Sequence, residues 1–227
     1  METKIIDGKQ IAAAVRREVK EEIAQLASQG QQAPALAVLL VGEDPASQVY
    51  VANKEKACGW VGIRSIACRL PAETTEEELL QKIALYNQDP DVNGILVQLP
   101  LPAGIRTDRI LRAIAPDKDV DGFHPVNVGK LCIGEEDGLV SCTPAGILQM
   151  LKRSGIELEG RHCVIAGRSN IVGKPLALLM LKENATVSVC HSRTKNLKEL
   201  TAQADIFVAA VGKPQMFDAS DIREGAV

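Results

Sequence analysis

Two groups of residues in this 227-residue chain have types and spacings that could do chemistry. The first is Tyr50 and Lys54; Gln98 and Asp121, much later in the chain, are two further polar positions that stand out. Four residues apart on a helix, Tyr50 and Lys54 share a face, together with Ser47 one turn earlier. The apolar run Ala35–Val41 just before them reads as a strand. The helix would then start beyond a strand's carboxyl end, where open α/β sheets bind ligands. A lysine on a helix is ordinarily solvated, and spacing alone does not separate the two roles. Gln98 stands near the end of Ile95-Leu-Val-Gln98-Leu99, and an amide there needs partners that a purely apolar core lacks. Asp121 closes Asp117-Lys-Asp119-Val-Asp121-Gly122, which looks like half of a calcium loop. The twelfth position of that loop would be Val128, so calcium is not expected, and the three acids could equally be a solvated turn.

The second group lies in Cys163-Val-Ile-Ala-Gly167-Arg168-Ser169-Asn-Ile-Val-Gly173-Lys-Pro175, followed by Leu176, Leu179 and Met180. The order is strand, glycine turn, helix. A helix opening there presents free N–H groups and a positive dipole end to an anion. The dinucleotide fingerprint G-x-G-x-x-G is met imperfectly, because Ser169 replaces the middle glycine and the span is one residue longer. An ordinary tight turn would use the same first glycine. Strands expected at 162–166, 186–190 and 205–211, with helices between, place the turn in a β-α-β-α-β order and hence on a parallel sheet. NAD sites carry an acid ~20 residues after such a turn to hold the ribose 2′-OH. Here that position holds His191-Ser192-Arg193-Thr194. Arg168 and Arg193 suit a 2′-phosphate instead, so NADP is expected over NAD; a solvated Arg193 is the alternative.

These side chains need elements to position them. Ile11, Val15, Val19, Ile23 and Leu26 recur at helical spacing, with Gly30 as the stop. Ala35–Val41 suits a strand buried on both faces. Gly42–Pro45 is a turn, and a helix is expected over about 46–57, broken by Gly59 and Gly62. A second strand is expected over 63–70. Thr74-Thr75 with Glu77 and Glu78 forms a doubled capping-box signal for the helix carrying Leu79, Leu80, Ile83 and Tyr86. The strand holding Gln98 follows Asn93-Gly94 and ends at Pro100-Leu-Pro102, ahead of a short helix with Ile110, Leu111 and Ile114. Residues 122–141 contain four glycines and few periodic signals and are the expected boundary between two lobes. Thr143-Pro144 then reads as N-cap and first-turn proline of a helix closed by Gly155.

Composition narrows the class. The chain is 46% hydrophobic but only 3% aromatic, which suits an aliphatic α/β core. A net charge of −3 with interspersed signs gives no footprint for nucleic acid. The longest apolar run is far too short to span a bilayer, and the acidic N-terminus has no signal-peptide core, so no membrane partner is expected. Six cysteines without a C-x-x-C pair read as reduced, mostly buried thiols of a cytoplasmic protein, and three histidines without ligand spacing predict no metal.

Taken together, Tyr50-Val-x-x-Lys54, the long run from Glu77 through Asn87 and Gln98 to Leu101, Asp117-Lys-Asp-Val-Asp121-Gly and Gly167-Arg-Ser-x-x-Val-Gly173-x-Pro175 closely resemble the bifunctional methylenetetrahydrofolate dehydrogenase/methenyltetrahydrofolate cyclohydrolase family. The resemblance covers essentially the whole chain. It implies an α/β fold of two lobes with a cleft between. A three-layer folate-binding lobe would occupy 1–121, a connection 122–140, and a Rossmann-like NADP lobe 141–227. Family members continue past the position of Val227 through a strand, a glycine-rich loop and a helix, so the chain is expected to be C-terminally truncated. The implied chemistry is NADP-linked oxidation of methylenetetrahydrofolate and hydration of the methenyl product to 10-formyltetrahydrofolate. The resemblance assigns Lys54 to activating water with help from Gln98, Tyr50 to stacking on the folate, Asp121 to the pterin edge, and Gly167, Arg168, Ser169, Ser192 and Arg193 to the dinucleotide. A lysine, ordinarily of pKa ~10.4, serves as such a base only where its surroundings favour the neutral form. It further implies a homodimer in the cytoplasm. Two other readings use the same motifs: a different NADP-linked reductase, against which Tyr50, Lys54 and Gln98 speak, and a nucleotide-binding scaffold without catalysis.

Overall fold

The computed structural model describes residues 3–227. The described chain forms two compact units, one of residues 8–126 and one of residues 127–227 with residues 3–7.

The first unit opens with helix α1 (Gly8–Ser28), followed by strand β1 (Ala35–Val41). Six of the seven β1 residues are buried, as expected of a strand covered on both faces. Helix α2 (Pro45–Val61) comes next. Asp44 caps it by accepting the Ser47 N–H at 2.8 Å, and Pro45 takes the first turn, where its missing N–H costs nothing. This helix does not break at Gly59. It runs through to the left-handed Gly62, because Cys58 and Val61 bury their side chains and packing overrides the weak propensity of one glycine. Strand β2 (Arg64–Leu70), helix α3 (Glu76–Gln88), strand β3 (Gly94–Val97) and helix α4 (Thr107–Ala113) complete the unit. The capping box at the start of α3 is made by Thr75 and Glu78. The sheet order is β2-β1-β3, all parallel, so β1 is central. Its core (Leu39, Leu79, Ile83, Ile95 and Ile110, each fully buried) gains ~1.5–3 kcal/mol per side chain removed from water.

Helix α5 (Pro125–Ile133) occupies most of the stretch expected to be an irregular connection. A proline at its first position and Val126, Val128 and Leu131 along it suffice for two turns, a signal the surrounding glycines obscure.

The second unit contains helix α6 (Cys142–Arg153), strand β4 (His162–Ala166), helix α7 (Gly173–Lys182), strand β5 (Thr186–Cys190), helix α8 (Leu197–Thr201) and strand β6 (Ile206–Ala209). Its sheet is parallel with order β5-β4-β6. The cap of α6 is Ser141 rather than Thr143, which lies inside the helix. The Ser141 hydroxyl donates to Ile171 O at 2.8 Å, a tertiary contact that the local sequence could not announce. Cys163, Ile165, Leu176, Met180 and Ile206 form the core. Of the six free thiols, Cys58, Cys163 and Cys190 are buried and Cys68 packs against the first core, as expected of apolar surroundings for most, while Cys132 and Cys142 are exposed. Burial pushes the Cys163 thiol up to about 12, so it stays protonated and inert. No helix among the described residues is long and apolar enough to cross a membrane.

Candidate active site

In the first unit, β1 and β3 end side by side and α2 begins just beyond β1. Gln98 lies one residue past the end of β3, not within it, and its N–H donates to Leu39 O at 2.9 Å. That bond carries the ladder one step beyond the strand and aims the side chain off the carboxyl edge. Its amide is doubly engaged: Oε1 accepts from Lys54 Nζ at 3.2 Å and Nε2 donates to Leu99 O at 2.8 Å. The half-buried amide therefore has the partners an apolar strand end could not supply. Lys54 is half-buried one helical turn from Tyr50, whose ring is 63% exposed on the same face. Ser47 and Val51 turn the adjoining face inward and fix the helix rotation.

Asp121 faces the same lysine. Burial pushes its carboxyl up from the ordinary 3.8; the Lys54 charge pulls it back, and the Asp119 carboxylate pushes it further up. Asp119 is 1% exposed and accepts the His124 N–H at 2.7 Å, closing the turn after Asp121. The segment 117–121 lies along β3 in parallel: Ile95 N–H donates to Lys118 O at 2.7 Å, and Ile95 bridges Asp119. Two residues further along both chains stand Val97 and Asp121, next to Gln98. Gly94 permits this approach, since a Cβ there would meet Val120 Cγ1 at 2.4 Å. The structure thus brings Lys54, Gln98 and Asp121 together, with Tyr50 one turn away. A half-buried lysine bonded to a neutral amide beside a desolvated carboxylate is a place to move a proton and to accept hydrogen bonds from a ring edge. Lys118, Asn87 and Asp119, which hold this arrangement, were not singled out from the sequence. The signal of Lys118 and Asn87 is a polar side chain whose bonds reach backbone far along the chain, and that is invisible without the fold.

In the second unit, three loops leave the carboxyl edge together. Gly167 N–H donates to Cys190 O at 2.8 Å, and Ala210 N–H donates to Ala166 O at 2.7 Å. The first tie sets the loop of Arg168 and Ser169 beside that of Ser192 and Arg193. Gly167 has φ +132°, and a Cβ there would lie 2.3 Å from Ala210 O; one at Gly173 would lie 2.1 Å from Gly167 O. Both glycines are therefore demanded by backbone packing within the turn. Ser169 Oγ accepts from Val172 N at 3.0 Å and Gly173 N at 3.5 Å, so it opens α7 as a middle glycine could not. The N–H groups of Arg168, Asn170 and Ile171 meet no acceptor among the described residues. The turn after β5 is closed by His191: its N–H donates to Thr194 Oγ1 at 2.8 Å, and its Nδ1 accepts from Arg193 N at 3.1 Å. Arg168, Ser169, Ser192 and Arg193 are all exposed. Exposed amides at a helix start, two guanidiniums and no carboxylate in either loop fit an anionic, phosphate-bearing dinucleotide.

Comparisons with known proteins cover both units. Residues 6–121 match the family model of the tetrahydrofolate dehydrogenase/cyclohydrolase catalytic domain, and residues 141–227 match that family's NAD(P)-binding domain. The bifunctional protein FolD of Lachnoclostridium phytofermentans is 59% identical, over 98% of this chain and 78% of its own length. That of Halalkalibacterium halodurans is 54% identical, over all of this chain and 81% of its own. The crystal structure of the bifunctional FolD methylenetetrahydrofolate dehydrogenase/cyclohydrolase from Campylobacter jejuni superposes with a TM-score of 0.96 at 47% identity, covering 99% of this chain and 79% of that one. A Trypanosoma brucei methylenetetrahydrofolate dehydrogenase-cyclohydrolase, solved with NADP cofactor and an inhibitor, gives 0.94 at 37% identity, covering 100% and 78%. With both of its units matched and relatives this similar over most of their length, the chain belongs to the tetrahydrofolate dehydrogenase/cyclohydrolase family.

Proposed function

We propose that the chain oxidises 5,10-methylenetetrahydrofolate with NADP and hydrolyses the methenyl product to 10-formyltetrahydrofolate. The observation that carries this reading is the bond from Lys54 Nζ to Gln98 Oε1 at 3.2 Å, which joins residues 44 apart in front of the half-buried Asp121. NADP, when bound, supplies the acceptor for the hydride. Tyr50 offers an exposed ring on which the folate's aromatic portion stacks. Asp121 accepts hydrogen bonds from the donor edge of the pterin. In the hydration step, a water adds to the methenyl carbon and Lys54 takes one of its protons; the bond from that carbon to N5 then breaks as the adduct's hydroxyl loses its proton and N5 gains one, leaving the formyl group on N10. Gln98 keeps the amine directed at that water. Gly167, Arg168 and Ser169 hold the pyrophosphate side of the dinucleotide, with Ser192 and Arg193 at the ribose and its 2′-phosphate. The folate site belongs to the unit of residues 8–126 and the NADP site to that of residues 127–227, in place of a separate connection over 122–140. The chain works as a homodimer in the cytoplasm, a setting in keeping with six free thiols.

The test is to follow both reactions on the 227-residue chain and to measure thermal stabilisation by NADP, NAD and a folate analogue. Turnover in both assays, stabilisation by the folate analogue, and tighter binding of NADP than of NAD are expected. Stabilisation by NADP alone, with no response to folate and no turnover, would instead establish the nucleotide-binding scaffold.

A further inference from the structure

We infer that Lys118 is a positioning residue for folate recognition, holding Asp121 in place in front of Lys54. The inference rests on the reading of Asp121 as the acceptor for the pterin edge. Lys118 is partly buried, and its ammonium donates to Tyr86 O at 3.0 Å, Asn87 O at 2.9 Å and Asp89 O at 2.7 Å. Three donors thus meet three acceptors, which uses the whole hydrogen-bonding capacity of a lysine. The acceptors belong to the C-terminal end of α3, where carbonyls lack helical partners and the dipole end is negative. This lysine is therefore committed to protein backbone and is not free to meet a substrate.

What it holds is the strap that ends in Asp121. Asn87 grips the same strap upstream, its Nδ2 donating to Ala113 O at 2.7 Å and its Oδ1 accepting from Ala115 N at 2.9 Å. Lys118 O accepts from Ile95, and the Asp119 carboxylate closes the turn beyond. Asp121 sits between these fixed points, and its own carboxylate makes no hydrogen bond among the described residues. Its aim therefore depends on the backbone that Lys118 ties down. Without the ammonium, three carbonyls at the end of α3 lose their common partner and the strap is free to shift. A displacement of about 1 Å at a substrate-orienting group can cost up to ~10²-fold in rate.

The test is a double-mutant cycle of Lys118→Met and Asp121→Asn, read as KM for methylenetetrahydrofolate and Kd for NADP. Lys118→Met is expected to raise KM about tenfold alone but less than about twofold in the Asp121→Asn background, because groups acting as one unit are non-additive. The Kd for NADP should stay within about twofold, since the dinucleotide loops are tied by other bonds. Lys118→Arg, which keeps charge and donors, should recover most of the loss. If Lys118→Met does not fold, Lys118→Gln carries the same cycle. Equal losses in both backgrounds would make Lys118 merely structural and overturn the inference. So would an unchanged KM in Lys118→Met where Asp121→Asn raises it. If Asp121→Asn itself leaves KM unchanged, the reading of Asp121 fails first, and the role of Lys118 falls with it.

Discussion

The two units build their candidate sites by different means. In residues 8–126 the candidate site consists of side chains: Lys54 from a helix and Gln98 from just past a strand, joined across 44 residues of sequence by one hydrogen bond, with Asp121 facing them from a strap. In residues 127–227 the site is largely backbone: a glycine turn, amides at the start of α7, and two loops tied by Gly167 N to Cys190 O. A side-chain site can be emptied of chemistry by one substitution that leaves the fold alone. A backbone site cannot, because the atoms that would bind the ligand are those that make the turn. The two regions should therefore fail differently.

The largest effect is expected from Lys54→Gln. Glutamine keeps hydrogen bonding and some reach but cannot take a proton, so cyclohydrolase turnover should fall by the ~10²–10⁴ of a lost general base. Dehydrogenase turnover should fall less, since hydride transfer depends on alignment more than on proton removal. Thermal stability should hardly move. Assaying both reactions on the one variant checks this; hydrolysis of methenyltetrahydrofolate reduced only a fewfold would return Lys54 to the status of a surface residue.

A smaller catalytic effect but a larger structural one is expected from Gly167→Ala. The φ of +132° alone costs about 1–3 kcal/mol for a residue with a Cβ, and the new methyl would press on Ala210 O. The urea midpoint should drop and NADP should bind more weakly, while hydrolysis of methenyltetrahydrofolate supplied without NADP should remain within a fewfold. A variant that unfolds no earlier and binds NADP normally would show that the turn has slack, and the contrast between the units would disappear.

The smallest effect concerns pH. In the folded chain the Asp121 carboxyl lies above its ordinary 3.8, first because of burial and then because of Asp119, despite Lys54. The native state thus binds this proton more tightly than the unfolded chain does. Its contribution is most favourable below 3.8 and is lost as pH rises through the native value. Asp121→Asn should accordingly raise the thermal midpoint slightly at pH 7, and this gain should vanish toward acid. Midpoints of the two proteins measured across that range decide it; a gain that grows on acidification would mean that the carboxylate is stabilised where it sits.

Against these outcomes one can ask what each level of description settled. Periodicity was enough for the strands Ala35–Val41 and His162–Ala166, for the helix capped by Thr75 and Glu78, and for the parallel order of the second sheet, because local apolar spacing and turn chemistry decide those features. It failed at Gly59, Ser141 and Pro125. At Gly59 and Ser141 the helix limits follow tertiary packing and contacts, as the bond from Ser141 to Ile171 illustrates, whereas at Pro125 the local signal is present but hidden among glycines. Gly167 was legible as a turn, but the reason no other residue fits it, the carbonyl of Ala210, comes from the end of β6. Tyr50, Lys54, Gln98 and Asp121 could be named from residue type and from resemblance. That three of them meet was decided by the parallel pairing of β1 with β3 and by the strap along β3, since register aligns chain positions that sequence leaves far apart. Lys118 looked like one charge among aspartates. Only the tertiary structure turned it toward three carbonyls of α3, because a buried ammonium must find acceptors wherever the fold supplies them.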